Sequence, residues 1–314
     1  MLILPEALIA ELVSPADAFV AVEACFAAMA RGEANNFPVV REALGGGRHY
    51  GFKSGLDRAG GSLGVKAGGY FPGNAARGMI NHQSSVFLFD PDTGWPLAMV
   101  GGNLLTALRT AAASAISIDR LARTEARVLG IVGAGHQAAF QLRAATLVRA
   151  FDRVIAWNRT PARLVGLAAV AADLGLPFEA VGLERMVEAD VIVTITSSDV
   201  FSLASAHVRA GTHLACMGTD TVGKQEVEPA LLCRARLFTD EVAQALTIGE
   251  AQHGVGLGPI VPLGAVVVGA HPGRESAAEV TLFDGTGVGL QDLAVAGVAA
   301  MRAKERGLGV EVAV

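Results

Sequence analysis

The sequence predicts an α/β protein in two parts, a mostly antiparallel α+β part in the first half of the chain and a doubly wound parallel sheet in the second, and three observations predict it. Strand-like and helical runs alternate from Val128 to Asp240, and strand, helix, strand repetition builds parallel sheets. Between Phe37 and Met99 short apolar or alternating runs are separated by glycines instead, the pattern of antiparallel strands. With 314 residues, 52% of them hydrophobic, the chain can bury a large core, and a length of about 150 residues per domain gives two domains.

In chain order, Ser14 to Ala34 places Ala18, Val20, Val22, Cys25, Phe26 and Met29 at helical spacing, with Ser14-Pro15 as cap and first turn. The runs VVREAL, YGFKSG, LGVKAGGYF, SSVFLFD and PLAMV follow as strands, and Asp90 to Gly94 has the composition of a hairpin turn between the last two. From Leu104 the segment TALRTAAASAISIDRLA reads as an alanine-rich helix. ARVLGIVG, RVIAWN, ADVIVTIT, THLACMG and ARLFTD then read as strands with helices between them, and TGVGLQDLAVAGVAAMRAKERG is a glycine-led C-terminal helix. The expected division is 1–116 with 290–314 as the substrate-binding and dimerisation domain, and 117–289 as the second domain, the boundary lying within a packed helix.

Composition narrows the partners. A net charge of -5 with scattered Lys and Arg leaves no electrostatic footprint for nucleic acid or an anionic membrane surface. Apolar runs are all broken by Gly, Pro or charge before they reach a membrane span. Cys25, Cys216 and Cys233 are odd in number and widely spaced, so buried, reduced thiols are expected instead of a disulfide framework or a metal site. The N-terminal stretch lacks a basic segment and a long apolar run. A cytoplasmic enzyme acting on a small molecule is the expectation.

The strand VLGIV runs into Gly133-Ala134-Gly135-His136-Gln137-Ala138 and opens a helix. The first glycine permits the tight turn, the second lets backbone approach a pyrophosphate, and Ala138 keeps helix and sheet close. Free N–H groups and the positive end of the helix dipole then face the phosphates. A Rossmann-type dinucleotide site follows. The next strand ends at Trp157-Asn158-Arg159-Thr160, where an acid would normally hold the adenosine ribose. Asn158 can bond a hydroxyl and Arg159 can pair with a 2′-phosphate, so the residues alone lean toward NADP(H).

Arg41, Lys53, Lys66 and Arg109 lie in apolar or glycine-rich context. A buried cation is costly without a partner, so such a group points to an anionic ligand or to specific ion pairs, with Glu42 or Asp57 as the ordinary alternatives.

The segments LGVKAGGYFPGN, LTALRTAAAS, VLGIVGAGHQA, WNRT, the GxD-GKQE run from Gly218 to Glu226, and FDGTGVGLQDLA together resemble the ornithine cyclodeaminase/mu-crystallin family over almost the whole chain. The resemblance implies residue roles. Arg41 and Arg109 hold the substrate α-carboxylate, Lys66 is the active-site lysine, and Asp220 is the active-site carboxylate facing the α-nitrogen. Arg109, Thr110, Thr196, Met217, Gly218 and Asp220 join Gly133, Ala134, Gly135, His136, Gln137, Asn158 and Arg159 at the dinucleotide, with Ser114 a helix turn along. His82, with Gln83, lines the substrate pocket.

Where many relatives carry an apolar stretch, this chain has Gly51-Phe52-Lys53-Ser54-Gly55, and a second substrate carboxylate would use both the cation and the hydroxyl. The run of segments including FPVVREAL and YGFKSG is closest to members that reduce iminosuccinate. The expectation is therefore reduction of a small dicarboxylic imine, iminosuccinate to L-aspartate, by hydride from a nicotinamide cofactor. For those members the resemblance implies NAD(H), which is favoured over the NADP(H) suggested by Asn158-Arg159, and a homodimer. Rival expectations are an ornithine cyclodeaminase, an alanine dehydrogenase or ketimine reductase, and a binding protein like mu-crystallin.

Overall fold

The computed structural model describes residues 1–313. In chain order it runs β1 (Leu2–Leu4), α1 (Glu6–Leu12), α2 (Pro15–Ala30), β2 (Ala34–Asn36), β3 (Val40–Gly45), β4 (Arg48–Asp57), β5 (Ser62–Tyr70), β6 (His82–Phe89), β7 (Pro96–Gly101) and α3 (Asn103–Leu121). Then come β8 (Val128–Val132), α4 (His136–Val148), β9 (Arg153–Trp157), α5 (Leu164–Asp173), β10 (Phe178–Ala180), β11 (Val191–Thr194), β12 (His213–Cys216), α6 (Pro229–Arg234) and β13 (Arg236–Thr239). The last elements are α7 (Val242–Ile248), β14 (Ile260–Pro262), α8 (Leu263–Val267), β15 (Thr281–Asp284), α9 (Gly289–Arg306) and β16 (Val310–Glu311).

Two compact units result, Met1–Arg109 with the segment from Val288 onward, and Thr110–Gly287. Both divisions lie a few residues before those expected from the sequence, and the first falls inside α3.

In the first unit the sheet order is β16-β1-β7-β6-β5-β4-β2, with β3 paired to β4. Every pairing is antiparallel except β1 with β7. The hairpin from β6 to β7 turns where expected, because Asp90 Oδ1 accepts from Asp92 N, Thr93 N and Thr93 Oγ1. Helix α2 starts at the predicted cap: Ser14 and Asp17 exchange side-chain and backbone bonds in a capping box.

One face of this sheet receives α9. Gly55 and Gly64 are opposite each other on β4 and β5, and an added Cβ would fall 2.8 Å from Leu290 and 2.7 Å from Leu293 respectively. The two glycines thus make the groove that α9 occupies. Leu290 and Leu293 are fully buried there, a contribution of about 2 kcal/mol each.

The second unit carries a parallel sheet in the order β10-β9-β8-β11-β12-β15-β13-β14. Its central strands β8, β11, β12 and β15 are nearly continuous buried runs, as expected when helices cover both faces. The sequence pattern pointed to β8, β9, β11, β12 and β13 but not to β15, which sits between β12 and β13.

The thiols depart from expectation in one place. Cys25 and Cys216 are buried, but Cys233, on the short helix α6, is exposed. Among the described residues no single helix is long and apolar enough to cross a membrane.

Candidate active site

In the first unit, strand register brings the cations together. Lys53 on β4 is directly opposite Lys66 on β5, and Arg41 on β3 is opposite Gly51, two residues along β4 from Lys53. Alternation puts Arg41, Lys53 and Lys66 on one face, the face that α9 covers. Beside them Gly51 and Gly68 are opposite each other, so this row of the sheet has no side chains on β4 and β5. Ser54, next to Lys53, projects from the other face. His82 is on the cation face but four residues along the sheet from the Lys66 row, opposite Tyr70.

The centre of the cluster is a residue that the sequence reading gave no role, Asp292 on α9. Lys66 Nζ lies 3.0 Å and 2.9 Å from its two carboxylate oxygens. Arg109 Nε, on α3, is 3.2 Å from Asp292 Oδ1, and Arg109 donates to Gln291 Oε1 at 3.2 Å. Thr106 accepts from Lys66 Nζ at 3.4 Å and donates to Gly102 O at 2.7 Å. Arg109 is thus anchored to α9 within this unit, while Thr110 begins the second one.

Burial pushes the Asp292 carboxyl up, but Arg109, Lys66 and Lys53 outweigh it and hold the group below the usual carboxylate range. Lys53, Lys66 and Arg109 are 5%, 6% and 7% exposed and Asp292 is 0% exposed. Three cations and one carboxylate are thus buried together on this side of the sheet. Asp57 is also buried on β4 but accepts from Gly60 N at the strand's end, four residues from Lys53. Arg41 is half-buried at the edge of the group. Two polar groups of this unit, Ser84 Oγ on β6 and Gln291 Nε2, are buried without a hydrogen-bond partner, an arrangement that a polar ligand can complete.

The second unit holds the glycine turn. Gly133 has φ 117°, and an added Cβ would fall 2.6 Å from Ile195 O, so no other residue fits. Gly135, the N-cap of α4, has no atom within 4 Å of where a Cβ would stand. That open space at the N-terminus of a thirteen-residue helix suits a pyrophosphate. Gln137 Oε1 is buried and unpartnered beside it, while Ala134 and His136 form the turn. The described residues therefore fit a dinucleotide.

Asn158 has a job already. Its Oδ1 accepts from Ala134 N at 3.1 Å and its amide donates to Thr160 O at 2.8 Å, tying the end of β9 to the glycine turn. Arg159 is exposed. Asp220, in the loop after β12, pairs with Lys224 at 2.8 Å and accepts from Thr221 Oγ1 at 3.2 Å. Thr196 follows β11, and Met217 and Gly218 follow β12, at the carboxyl ends of the strands where such sheets bind ligands.

A parallel sheet with this glycine turn, and the antiparallel sheet of the first unit with its buried cations, define a nicotinamide-dinucleotide protein of two units. The profile of the ornithine cyclodeaminase/mu-crystallin family matches residues 2–307, and the chain belongs to that family. It is 59% identical to the iminosuccinate reductase of Paracoccus denitrificans, with 99% of each chain covered. The crystal structure of the Paracoccus denitrificans iminosuccinate reductase in complex with NAD+ superposes with a TM-score of 0.95 at 60% identity, covering 100% of this chain and 99% of that one. An archaeal alanine dehydrogenase dimer with bound NAD superposes at 0.94, with 32% identity and 100% and 99% coverage.

Proposed function

We propose that this protein is an NADH-dependent reductase that converts iminosuccinate to L-aspartate. The observation that carries the substrate is the gathering of Arg41, Lys53 and Lys66 on one face of the first sheet, with Arg109 on the same Asp292 as Lys66, which offers cations to two carboxylates. Family membership and the 59% identity to an iminosuccinate reductase support the same reaction. An ornithine cyclodeaminase or an alanine dehydrogenase would bring only one carboxylate to this face.

In this reading Arg41 and Arg109 grip one carboxylate with guanidinium forks, and Lys53 meets the other. Lys66, paired with Asp292, is on the same face. Holding both ends of a short substrate fixes the imine carbon, which removes most of the freedom that would otherwise oppose reaction. NADH held at the Gly133 to Gln137 turn would supply the hydride. The nitrogen takes a proton from Lys66 or Asp220, giving the amine. The first unit is the substrate-binding and dimerisation domain and the second is the dinucleotide domain. Within the second, the Gly133 to Gln137 turn receives the pyrophosphate and Asn158 braces that turn, leaving an exposed Arg159 that is not committed to a 2′-phosphate. The purified protein should oxidise NADH faster than NADPH, and faster with oxaloacetate plus ammonia than with pyruvate plus ammonia. Initial rates with the four combinations check both choices, and a preference for pyruvate would sink the substrate.

The face of the first sheet opposite to α9 supports a homodimer. Val40, Phe52 and Leu97 are 44%, 41% and 45% exposed there, with Val65, Phe87 and Met99 half-buried among them, and Ser54 belongs to this face. Contiguous apolar surface of this kind marks an interface, and the archaeal relative is a dimer. Phe52→Glu should convert the dimer to monomer in light scattering, and a wild-type monomer would count against this assembly. We place the enzyme in the cytoplasm on the absence of disulfides among its described cysteines.

A further inference from the structure

Glu226, in the run from Gly218 to Glu226, is almost fully buried, with 1% exposure. Its Oε1 accepts from Thr196 N at 2.5 Å and Thr196 Oγ1 at 2.9 Å. Its Oε2 accepts from Thr194 Oγ1 and from Gly218 N, both at 2.7 Å. One carboxylate therefore collects four donors from the ends of two adjacent strands, β11 and β12. Its own backbone is held in turn, because Glu226 N donates to Glu250 Oε1 at 2.7 Å.

We propose that Glu226 is a positioning residue of the dinucleotide site, clamping the loop after β11 to the loop after β12 and setting the peptide planes that face the cofactor. This rests on the reading that NAD(H) binds at this edge of the sheet. The argument is geometric. The N–H of Thr196 points at Glu226, so the carbonyl of the same peptide, Ile195 O, points the opposite way, onto Gly133. That carbonyl and the Thr196 methyl are the atoms an added Cβ at Gly133 would meet, at 2.6 Å and 3.2 Å. Glu226 thus reaches the glycine turn through one peptide and Met217-Gly218 through another.

Gly218 shows how closely the two loops are drawn together. An added Cβ there would fall 2.2 Å from Thr196 O and 2.5 Å from Glu226 Oε1. A fold that needed only packing at this point would be served by an apolar side chain, since a buried carboxylate carries a desolvation cost. Burial does push this carboxyl up, against the pull of its donors on Thr194, Thr196 and Gly218. Four aimed donors offset that cost and fix orientation in a way that apolar contact does not.

Two variants of the full-length protein test the clamp. Glu226→Gln keeps the shape but turns an NH2 toward one of the two loops, which releases it. Gly218→Ala keeps the carboxylate and forces the same loops apart. In each, the Kd for NADH by fluorescence titration and the KM for NADH should rise about tenfold. In Glu226→Gln the KM for the imine should stay within about threefold of wild type. A merely structural role would lower the thermal midpoint and leave the Kd of the folded variants unchanged, and that result overturns the clamp. If Glu226→Gln does not fold, Gly218→Ala decides. Wild type failing to bind NADH would remove the functional reading itself, whereas wild-type binding with unaltered variants removes only Glu226.

Discussion

Asp292→Asn should reduce kcat/KM for the imine by about two to three orders of magnitude and lower stability by about 3 kcal/mol, the cost of breaking a buried ion pair from one side. Asparagine matches the shape of aspartate and retains one acceptor, so the loss isolates charge. Without the carboxylate, Lys66 and Arg109 lose the anion they share while remaining buried beside Lys53, and like charges disfavour an ammonium. The sign of the pH effect follows. Removing an anion favours the neutral amine, so the alkaline limb of the kcat/KM profile should move to lower pH. A residue that only held α9 against the sheet would lower the melting temperature and leave the limb in place. The measurement is a pH-rate profile of the folded variant beside wild type, and superimposable profiles would dismiss Asp292 as a positioning group. Asp292→Leu separates the contributions further. It adds apolar volume in a packed site, so it should lose activity at every pH with no limb to shift.

Much of this arrangement was legible in the residues, and what was missed was missed for physical reasons. The glycine turn is readable because its chemistry is local: a strand, a φ that only glycine accepts, and a helix start lie within a few consecutive residues. The four cations stood out because charge in apolar segments is costly wherever the chain goes. Asp292 had the same property, an acid at a helical position flanked by Leu290 and Leu293, but a single Asp in an amphipathic helix also reads as its solvated face. Only the register of β4 against β5, and the glycines that admit α9, show that the position points inward. Ser54 illustrates the converse. It was grouped with Lys53 by adjacency, yet strand alternation separates neighbours by the thickness of the sheet. Asn158 was read as a ribose ligand, and its bonds to Ala134 and Thr160 show that a residue at a ligand-binding position can first be needed to hold the turn. Glu226 lies in the run from Gly218 to Glu226, but its role is not legible there because its partners, Thr194 and Thr196, are 32 and 30 residues away in sequence.

Lys53→Met should change which substrate the enzyme prefers more than how well it works. Methionine keeps an unbranched apolar stem of similar length and deletes the charge, so the packing of β4 against α9 is largely preserved. The buried group then falls from three cations to two, which removes the cation assigned to the second carboxylate. A charge-assisted contact to a substrate carboxylate contributes about 2–3 kcal/mol, so kcat/KM for iminosuccinate should drop about thirty- to a hundredfold, mostly through KM. The imine formed from pyruvate and ammonia has no second carboxylate to lose. Its kcat/KM should stay level, because it makes no contact with that cation. The ratio of the two specificities is therefore the decisive quantity, since it cancels any general damage to folding or to NADH binding. A ratio that moves by less than about threefold would mean that Lys53 serves the fold and that the second carboxylate is met by Arg41 or elsewhere. A ratio that falls by about two orders of magnitude would assign the choice between a dicarboxylic and a monocarboxylic imine to one side chain on β4.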